Sequence, residues 1–383
     1  MSTPAHQVVV VGGGYAGTIA ANRLRSRDDV AVTIVNPRPV FVDRIRLHQF
    51  TAGTGQAQVD YDTLLGEGVR LVVDDVTRID PATRTLHLAS GGTLPYDHVV
   101  YAVGSTGAIP LSVPGAAVHA LSVAELESAR RLRTRLGELA PSDRVTVVGG
   151  GLTGVEVAAE LAEQGRPVTL IGDLAPSLSV GARRSATRWL ARHGVVLVDG
   201  QVAEVLPDAV VLADRSTHRG ALTIWAAGFG VPGLAAASGL RTDDLGRLLT
   251  DETLTSVDDE RIVAAGDAAA PSGQPLRMSC QAAGPLGAQA ADTVLSRIAG
   301  EEPAVINQAF VGSCVSLGRG GGVRQFATKD DRARELYFGG RVAAVYKEFT
   351  CKVALAKIRL EARRPGSLPW IKGGTRATAA QRV

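Results

Sequence analysis

The sequence predicts an α/β protein in which one strand–turn–helix–strand unit occurs twice, in two separate domains. Two stretches carry this reading. A β-branched run, Gln7–Val11, meets a glycine cluster and an Ala-rich helical stretch to about Arg25. A second strand, Val30–Val35, follows and stops at Asn36–Pro37. The same order returns as strand Arg144–Val148, turn Gly149–Gly151, helix Thr153–Gln164 and strand Pro167–Ile171. The copies lie too far apart for a solenoid repeat, so each belongs to its own domain.

A chain of 383 residues has room for two or three domains. It is 45% hydrophobic and 21% charged, as globular proteins are, and with 4% aromatics its core must be aliphatic. The formal net charge of +3 lacks the basic excess of a nucleic-acid binder. Cys280, Cys314 and Cys351 are far apart and form no C-x-x-C, so neither a redox dithiol nor a Cys-rich metal site is expected, and no metal ligands are assigned. They read as structural cysteines of a reducing cytoplasm. Met1–Gln7 has no basic stretch leading into an apolar one, and no apolar run reaches the roughly 18 residues of a spanning helix. The expectation is a cytoplasmic protein, or one attached peripherally to the inner face of the membrane.

The turns carry the chemistry. Gly12-x-Gly14-x-x-Gly17 follows a strand and opens a helix, with Tyr15 and Ala16 in its variable positions. The first glycine makes the tight turn, the second lets a diphosphate reach the backbone, and the third lets helix and strand pack closely. The helix N-terminus then offers free N–H groups to the phosphates. Gly149-x-Gly151-x-x-Gly154, with Leu152 and Thr153 between, repeats the arrangement. Both turns are read as dinucleotide sites.

The flanking residues leave alternatives open. Asn36 stands where an acid often holds ribose hydroxyls; it reads either as a weaker ribose partner or as a turn residue before Pro37. Arg38 and Arg44 are either phosphate partners or solvated cations. Glu156, in the first turn of the second helix, reads either as a carboxylate favoured by the helix dipole or as a group beside a bound nicotinamide. After the next strand, Asp173 would bind a ribose and favour NADH. Alternatively, Gly172 leaves room for a 2′-phosphate with Arg183 or Arg184 as partners, favouring NADPH.

Three further strands end in small residues: His98–Gly107, Thr223–Gly230 and Arg261–Asp267. Beyond about Pro303, Val311–Phe326 predicts a hairpin around Gly320–Gly322. Tyr346–Arg364 predicts a basic helix, with Phe349, Val353, Ala356 and Leu360 at helical spacing and Lys347, Lys352, Lys357, Arg359, Arg363 and Arg364 as its basic surface.

Together, the two glycine turns, YAVGSTG, IWAAGFG, GGGLTGVEVAAEL and RIVAAGDAAAP resemble the two-dinucleotide-binding-domain flavoproteins of the pyridine nucleotide-disulfide oxidoreductase fold. The resemblance spans about residues 7 to 300. It is nearest the cysteine-free branch of type II NADH dehydrogenases, sulfide:quinone reductases and relatives of apoptosis-inducing factor. It implies two Rossmann-like domains plus a C-terminal α+β region. The FAD domain would be discontinuous, 1–112 and 232–302, with an NAD(P)H domain inserted at 113–231 and the tail region at 303–383.

The resemblance also implies site roles. FAD would place its diphosphate on the Gly12–Gly17 turn and its adenine near Val76. Ala102 and Gly104 would border it, and Gly266 and Asp267 would hold its ribityl chain. Met278–Ala282 would approach the flavin ring, and Ala227 and Gly228 would admit the nicotinamide. The reacting rings would need to stack within about 3–3.5 Å. Glu156 and Gln281 are the expected catalytic residues. The NADH:quinone branch reads AQxAxQQG where this chain has Cys280-Gln281-Ala-Ala-Gly-Pro285-Leu286-Gly287, so one glutamine is kept and its pair is lost. FVDRIRLHQF lacks the C-x4-C of the disulfide reductases and carries His48, which either approaches the flavin or is a structural or solvated histidine.

The activity implied is an FAD-dependent NAD(P)H oxidoreductase, with quinone as the leading second acceptor and a small redox protein or a biosynthetic intermediate behind it. The alternative is an NADH-controlled switch like the relatives of apoptosis-inducing factor. The tail helix would either lie on an anionic membrane surface or cover the FAD domain or a dimer face.

Overall fold

A computed structural model describes residues 6–374. Residues 1–5, most of the Met1–Gln7 segment, and residues 375–383 of the tail lie outside the described residues.

The first unit runs through β1 (His6–Val11), α1 (Tyr15–Leu24), β2 (Val30–Asn36), α2 (Leu47–Ala52), β3 (Arg70–Val73) and β4 (His98–Tyr101). The second comprises β5 (Ala120–Ser122), α3 (Leu126–Glu138), β6 (Val145–Val148), α4 (Leu152–Glu163), β7 (Val168–Ile171), α5 (Val180–Arg192), β8 (Val196–Val198) and β9 (Leu222–Trp225). The chain then returns with β10 (Ile262–Ala264) and α6 (Cys280–Ala299). It ends in β11 (Gly312–Leu317), β12 (Gly321–Ala327), β13 (Ala333–Gly339) and α7 (Gly340–Arg363).

β10 pairs with β4, so the first parallel sheet has the order β10-β4-β1-β2-β3 and is completed only after the second unit has been made. The second parallel sheet has the same shape, β5-β9-β6-β7-β8. Val8–Val11 and Val145–Val148 are buried along their whole length. Continuous apolar runs of this kind suit parallel strands covered on both faces. Where the chain enters and leaves the second unit, Thr106–Gly107 pairs antiparallel with Phe229–Gly230.

Small residues bring the helices close. A Cβ on Gly287 of α6 would lie 2.2 Å from the Ala16 carbonyl oxygen, so α6 rests on the backbone of α1. The tail forms the antiparallel sheet β11-β12-β13; its hairpin turn is Gly318–Gly320, two residues before the expected centre, and Gly321 and Gly322 pair within β12. α7 begins six residues before the expected start, at Gly340 rather than Tyr346. Its inner face is Ala343, Lys347, Cys351 and Ile358, set against β12, β11 and α1. Lys347 is therefore no part of the basic surface. Phe349 and Leu360, expected in one apolar stripe with Val353, are 62% and 39% exposed.

Candidate functional site

The two glycine turns have one geometry. Gly12 and Gly149 have φ of +103° and +115°, the left-handed region that favours glycine. A Cβ on Gly17 would lie 1.8 Å from the Gly12 carbonyl oxygen, and one on Gly154 would lie 1.8 Å from that of Gly149. Gly14 and Gly151 face open space. Each turn thus presents bare backbone at the N-terminus of α1 or α4, the form a diphosphate requires.

Both helix starts reach one cavity of about 480 Å³, within the range for small-molecule sites. Tyr15 from α1 and Leu152 and Thr153 from α4 line it. On one wall Arg44 Nη1 donates to the Ser105 carbonyl at 2.5 Å and to its Oγ at 3.0 Å. Ser105 Oγ donates in turn to Asp267 Oδ2 at 2.7 Å. Asp267 sits on a single 3-10 turn, Gly266–Ala268, directly after β10. Met278, Ser279, Cys280 and Gln281 border the same space. Pro285 in the second turn of α6 has no N–H for the Gln281 carbonyl. The Gln281 amide spans to the tail, donating to Gly312 O and accepting from Val311 N at 3.0 Å each. Its side chain is thus tied to backbone at the cavity wall.

A buried polar cluster forms the inner end. Lys347 Nζ lies 2.8 Å from Glu156 Oε1, and that same oxygen accepts from Ser316 N at 2.9 Å. His48 Nδ1 is 3.6 Å from Glu156 Oε2, and Nε2 is 3.9 Å from Glu160 Oε1. Burial alone would raise the Glu156 carboxyl, but the Lys347 ammonium, His48 and the Ser316 N–H hold it below the usual range. Burial works against charge on Lys347 too, and Glu156 reverses that and raises it. Burial drives the His48 imidazole down to about 4, against the pull of Glu156. At neutral pH the cluster is an ion pair beside a neutral histidine. His48 is 3% exposed, so the solvated reading of it is excluded. Beyond it, burial raises Glu160, whose Oε2 accepts from Thr54 Oγ1 at 2.7 Å.

Other expected residues have separate surroundings. Asn36 Oδ1 accepts from Gly13 N at 2.9 Å and its Nδ2 donates to Arg38 O, so its amide braces the first turn. Arg38 makes a bidentate pair with Glu127 of α3. Val76 is half-buried against the first core. Ala102 N donates to Val11 O, and Ala102 O borders Gly12. Gly104 turns at φ +71° and Gly266 at +73°. Ala282 is 2% exposed and joins the core rather than the cavity. Ala227, Gly228 and Phe229 line a small slot with Thr153, beside the main cavity. Asp173 is exposed next to Gly172, with Arg183 Nη1 3.8 Å away.

Sequence reasoning missed Lys347, read as a surface cation. A signal was present: Ala343, Lys347, Cys351 and Ile358 are spaced by four, four and seven, along one face of a helix. The three cysteines, distant in sequence, all line the cavity. Burial raises each thiol, Cys351 to about 12, so they are neutral at physiological pH.

Comparison with known proteins places the chain. The model of the pyridine nucleotide-disulphide oxidoreductase family matches residues 6–287. The NADH dehydrogenase-like protein Rv1812c of Mycobacterium tuberculosis is 30% identical over 350 residues, covering 83% of this chain and 87% of that protein. The type II NADH:quinone oxidoreductase of Haemophilus influenzae is 24% identical, over 69% and 73% of the two chains. Among solved structures, NDH2 of Plasmodium falciparum in complex with NADH aligns with a TM-score of 0.77 at 13% identity, covering 96% of this chain and all of the other. With its twin nucleotide-type turns opening on one cavity, this chain belongs to the pyridine nucleotide-disulphide oxidoreductase family and is an oxidoreductase of FAD and NAD(P)H.

Proposed function

We propose that the protein takes reducing equivalents from NAD(P)H and passes them to a quinone, with the first glycine turn holding FAD and the second holding the nicotinamide nucleotide. The observation that carries this is the single cavity lined by the starts of both turn helices and by the Glu156–Lys347 pair. Bound FAD supplies the two-electron relay between donor and acceptor. The protein's own residues orient and protonate. Gly12, Gly14 and Gly17 leave backbone bare for one diphosphate, and Gly149, Gly151 and Gly154 for the other. Asp267, oriented by Ser105 and Arg44, is an acceptor for ribityl hydroxyls. Ala227 and Gly228, without bulky side chains, border a narrow cleft beside Thr153 at the edge of the cavity, where a nicotinamide would approach.

Reducing a quinone requires protons as well as electrons. The Lys347 ammonium lines the cavity 2.8 Å from the Glu156 carboxylate and is the proton donor to an acceptor oxygen there, recharged from solvent. Type II NADH:quinone oxidoreductase among the relatives supports a quinone acceptor. The outer face of α7 adds support for a lipophilic one. Val342, Val345 and Phe349 are 69%, 71% and 62% exposed, beside Arg341 and Lys352, and Tyr346, Thr350 and Val353 of the same helix border the cavity. This face suits an anionic membrane surface. No helix among the described residues is long and apolar enough to cross a membrane.

The test is anaerobic. Loss of the visible flavin band on adding NADH or NADPH, and its return on adding a short-chain quinone, is the expected result. Bleaching that only oxygen or a protein acceptor reverses would overturn the quinone assignment. A long-lived reduced complex with NAD⁺ would favour the switch. A protein that cannot be loaded with FAD would remove the whole reading.

A further inference from the structure

Across the cavity from Arg44, the wall formed by the tail and the segment before α6 carries further cations, and they are not equally neutralised. Lys347 is paired with Glu156, and Arg277 with Asp331 in a bidentate contact. Arg324 lines the same space at 3% exposure, and no carboxylate among the described residues lies within ion-pair distance of it. Its Nη1 donates to Ser313 O at 3.2 Å and Gln325 O at 2.6 Å, and its Nη2 to Val311 O at 2.8 Å. Its Nε has no partner. The rings of Phe326 and Tyr346 flank the guanidinium at 4.8 and 5.3 Å. Carbonyl dipoles and ring faces solvate a cation, but they do not cancel its unit charge.

The position is built for this group. Gly312 has φ +122°, and a Cβ there would lie 2.6 Å from Arg324 Nη1. Arg324 stands directly across the β11–β12 ladder from Cys314, whose thiol is neutral and gives no counter-charge. Lys357, exposed at the mouth, adds positive charge of the same sign. A buried cation without an acid, beside two already paired ones, is a place for a negative charge that arrives with the substrate.

We propose that the preferred acceptor carries an anionic oxygen on or next to its reducible ring, a hydroxyquinone-type enolate, and that Arg324 selects it. This rests on the reading that the cavity takes a quinone.

Two probes of nearly equal shape decide it: a hydroxynaphthoquinone, ionised at neutral pH, and its methyl ether, which is uncharged. Their affinities for the oxidised, FAD-loaded protein are measured by fluorescence quenching, without turnover. The enolate is expected to bind about tenfold more tightly. Arg324→Met should remove that preference, and Arg324→Lys should restore most of it. Because Arg324 also ties three carbonyls, the Met variant can fail to fold. The wild-type protein then decides alone: the preference must vanish as the pH is lowered and the hydroxyl protonates. Equal affinity of the wild type for both probes overturns the proposal, as does a preference that survives Arg324→Met. Turnover separates this from the underlying reading. If NAD(P)H reduces neither probe, the quinone assignment fails; if it reduces both and they bind alike, only the role of Arg324 fails.

Discussion

The two glycine turns share one backbone design but differ in what surrounds them. At the first, Gly13 is clamped from both sides: its N–H donates to Asn36 Oδ1, and its carbonyl accepts from Tyr61 Oη at 2.7 Å. Tyr15 is hydrogen-bonded to Asp43, itself paired with Arg46, and α6 and α7 both cover α1. At the second, Gly150 is held by backbone: its carbonyl accepts from Ala175 N at 2.7 Å and the backbone of Gly172 and Asp173 lies beside it, while the Asp173 side chain stands in solvent. A braced, covered turn suits a cofactor that stays. A turn with an exposed outer rim suits a nucleotide that must come and go. The same local sequence serves either purpose, and the packing around it sets which.

The comparison is broken most directly by filling each turn. Gly17→Val puts a side chain where a Cβ alone would sit 1.8 Å from Gly12 O. It is expected to destabilise by about 3 kcal/mol and to yield protein without the visible flavin spectrum. Gly154→Val makes the same clash with Gly149. It should keep the flavin and lose its bleaching by NAD(P)H. Loss of flavin in both variants would show that the turns are not independent.

An effect of similar size is expected at the pair between the tail helix and the second unit. Lys347→Met leaves Glu156 buried without its cation, a cost of roughly 3–5 kcal/mol in denaturant unfolding. Adding Glu156→Gln to that variant should recover part of the loss, a coupling that a double-mutant cycle reads. Additive effects would mean that the two residues do not act as a pair.

His48 gives a pH signature of similar scale. Its folded pKa of about 4 lies below the ordinary 6.5, so the fold favours the neutral ring. The unfolded chain takes up the proton first, and stability is lost as pH falls from about 6.5 through 4, by on the order of 3 kcal/mol. NMR titration of the ring checks the value; a midpoint near 6.5 would place water at the cluster.

Smaller effects sharpen the contrast at the open turn and at the join. Asp173→Ala should raise affinity for NADPH about tenfold relative to NADH, by removing a like charge near the 2′-phosphate. An unchanged ratio would move nucleotide choice to Arg183 or Arg184. Glu348 receives Arg46 from the first unit at 2.8 Å and Arg319 at 3.3 Å, and Arg319 lies 3.7 Å from Glu160 of the second. The Arg46 hydrogen bond is the main cause holding the Glu348 carboxyl at about 2. Its stabilisation is present above about pH 4.5 and lost as pH falls through 2. Glu348→Gln should cost about 1 kcal/mol near neutral pH, since the pair is partly screened by solvent.

What the sequence by itself determined was local. The glycines at Gly12, Gly14 and Gly17, and at Gly149, Gly151 and Gly154, specify their turns because each needs only the backbone of one strand and one helix. The strands beside them were legible because parallel strands buried on both faces are continuous apolar runs. Only the tertiary structure decided the chemistry between the turns. Lys347 meets Glu156, Arg324 has no carboxylate partner among the described residues, and Cys314 and Cys351 reach the same cavity as Cys280 because α7 and the tail sheet fold back over both units. Asn36 and Arg38 spend their polar groups on Gly13 and on Glu127 of α3, partners 23 and 89 residues away that packing, not spacing, selects. A side chain's partner is set by which surfaces pack together, and sequence spacing carries no record of contacts that cross domains.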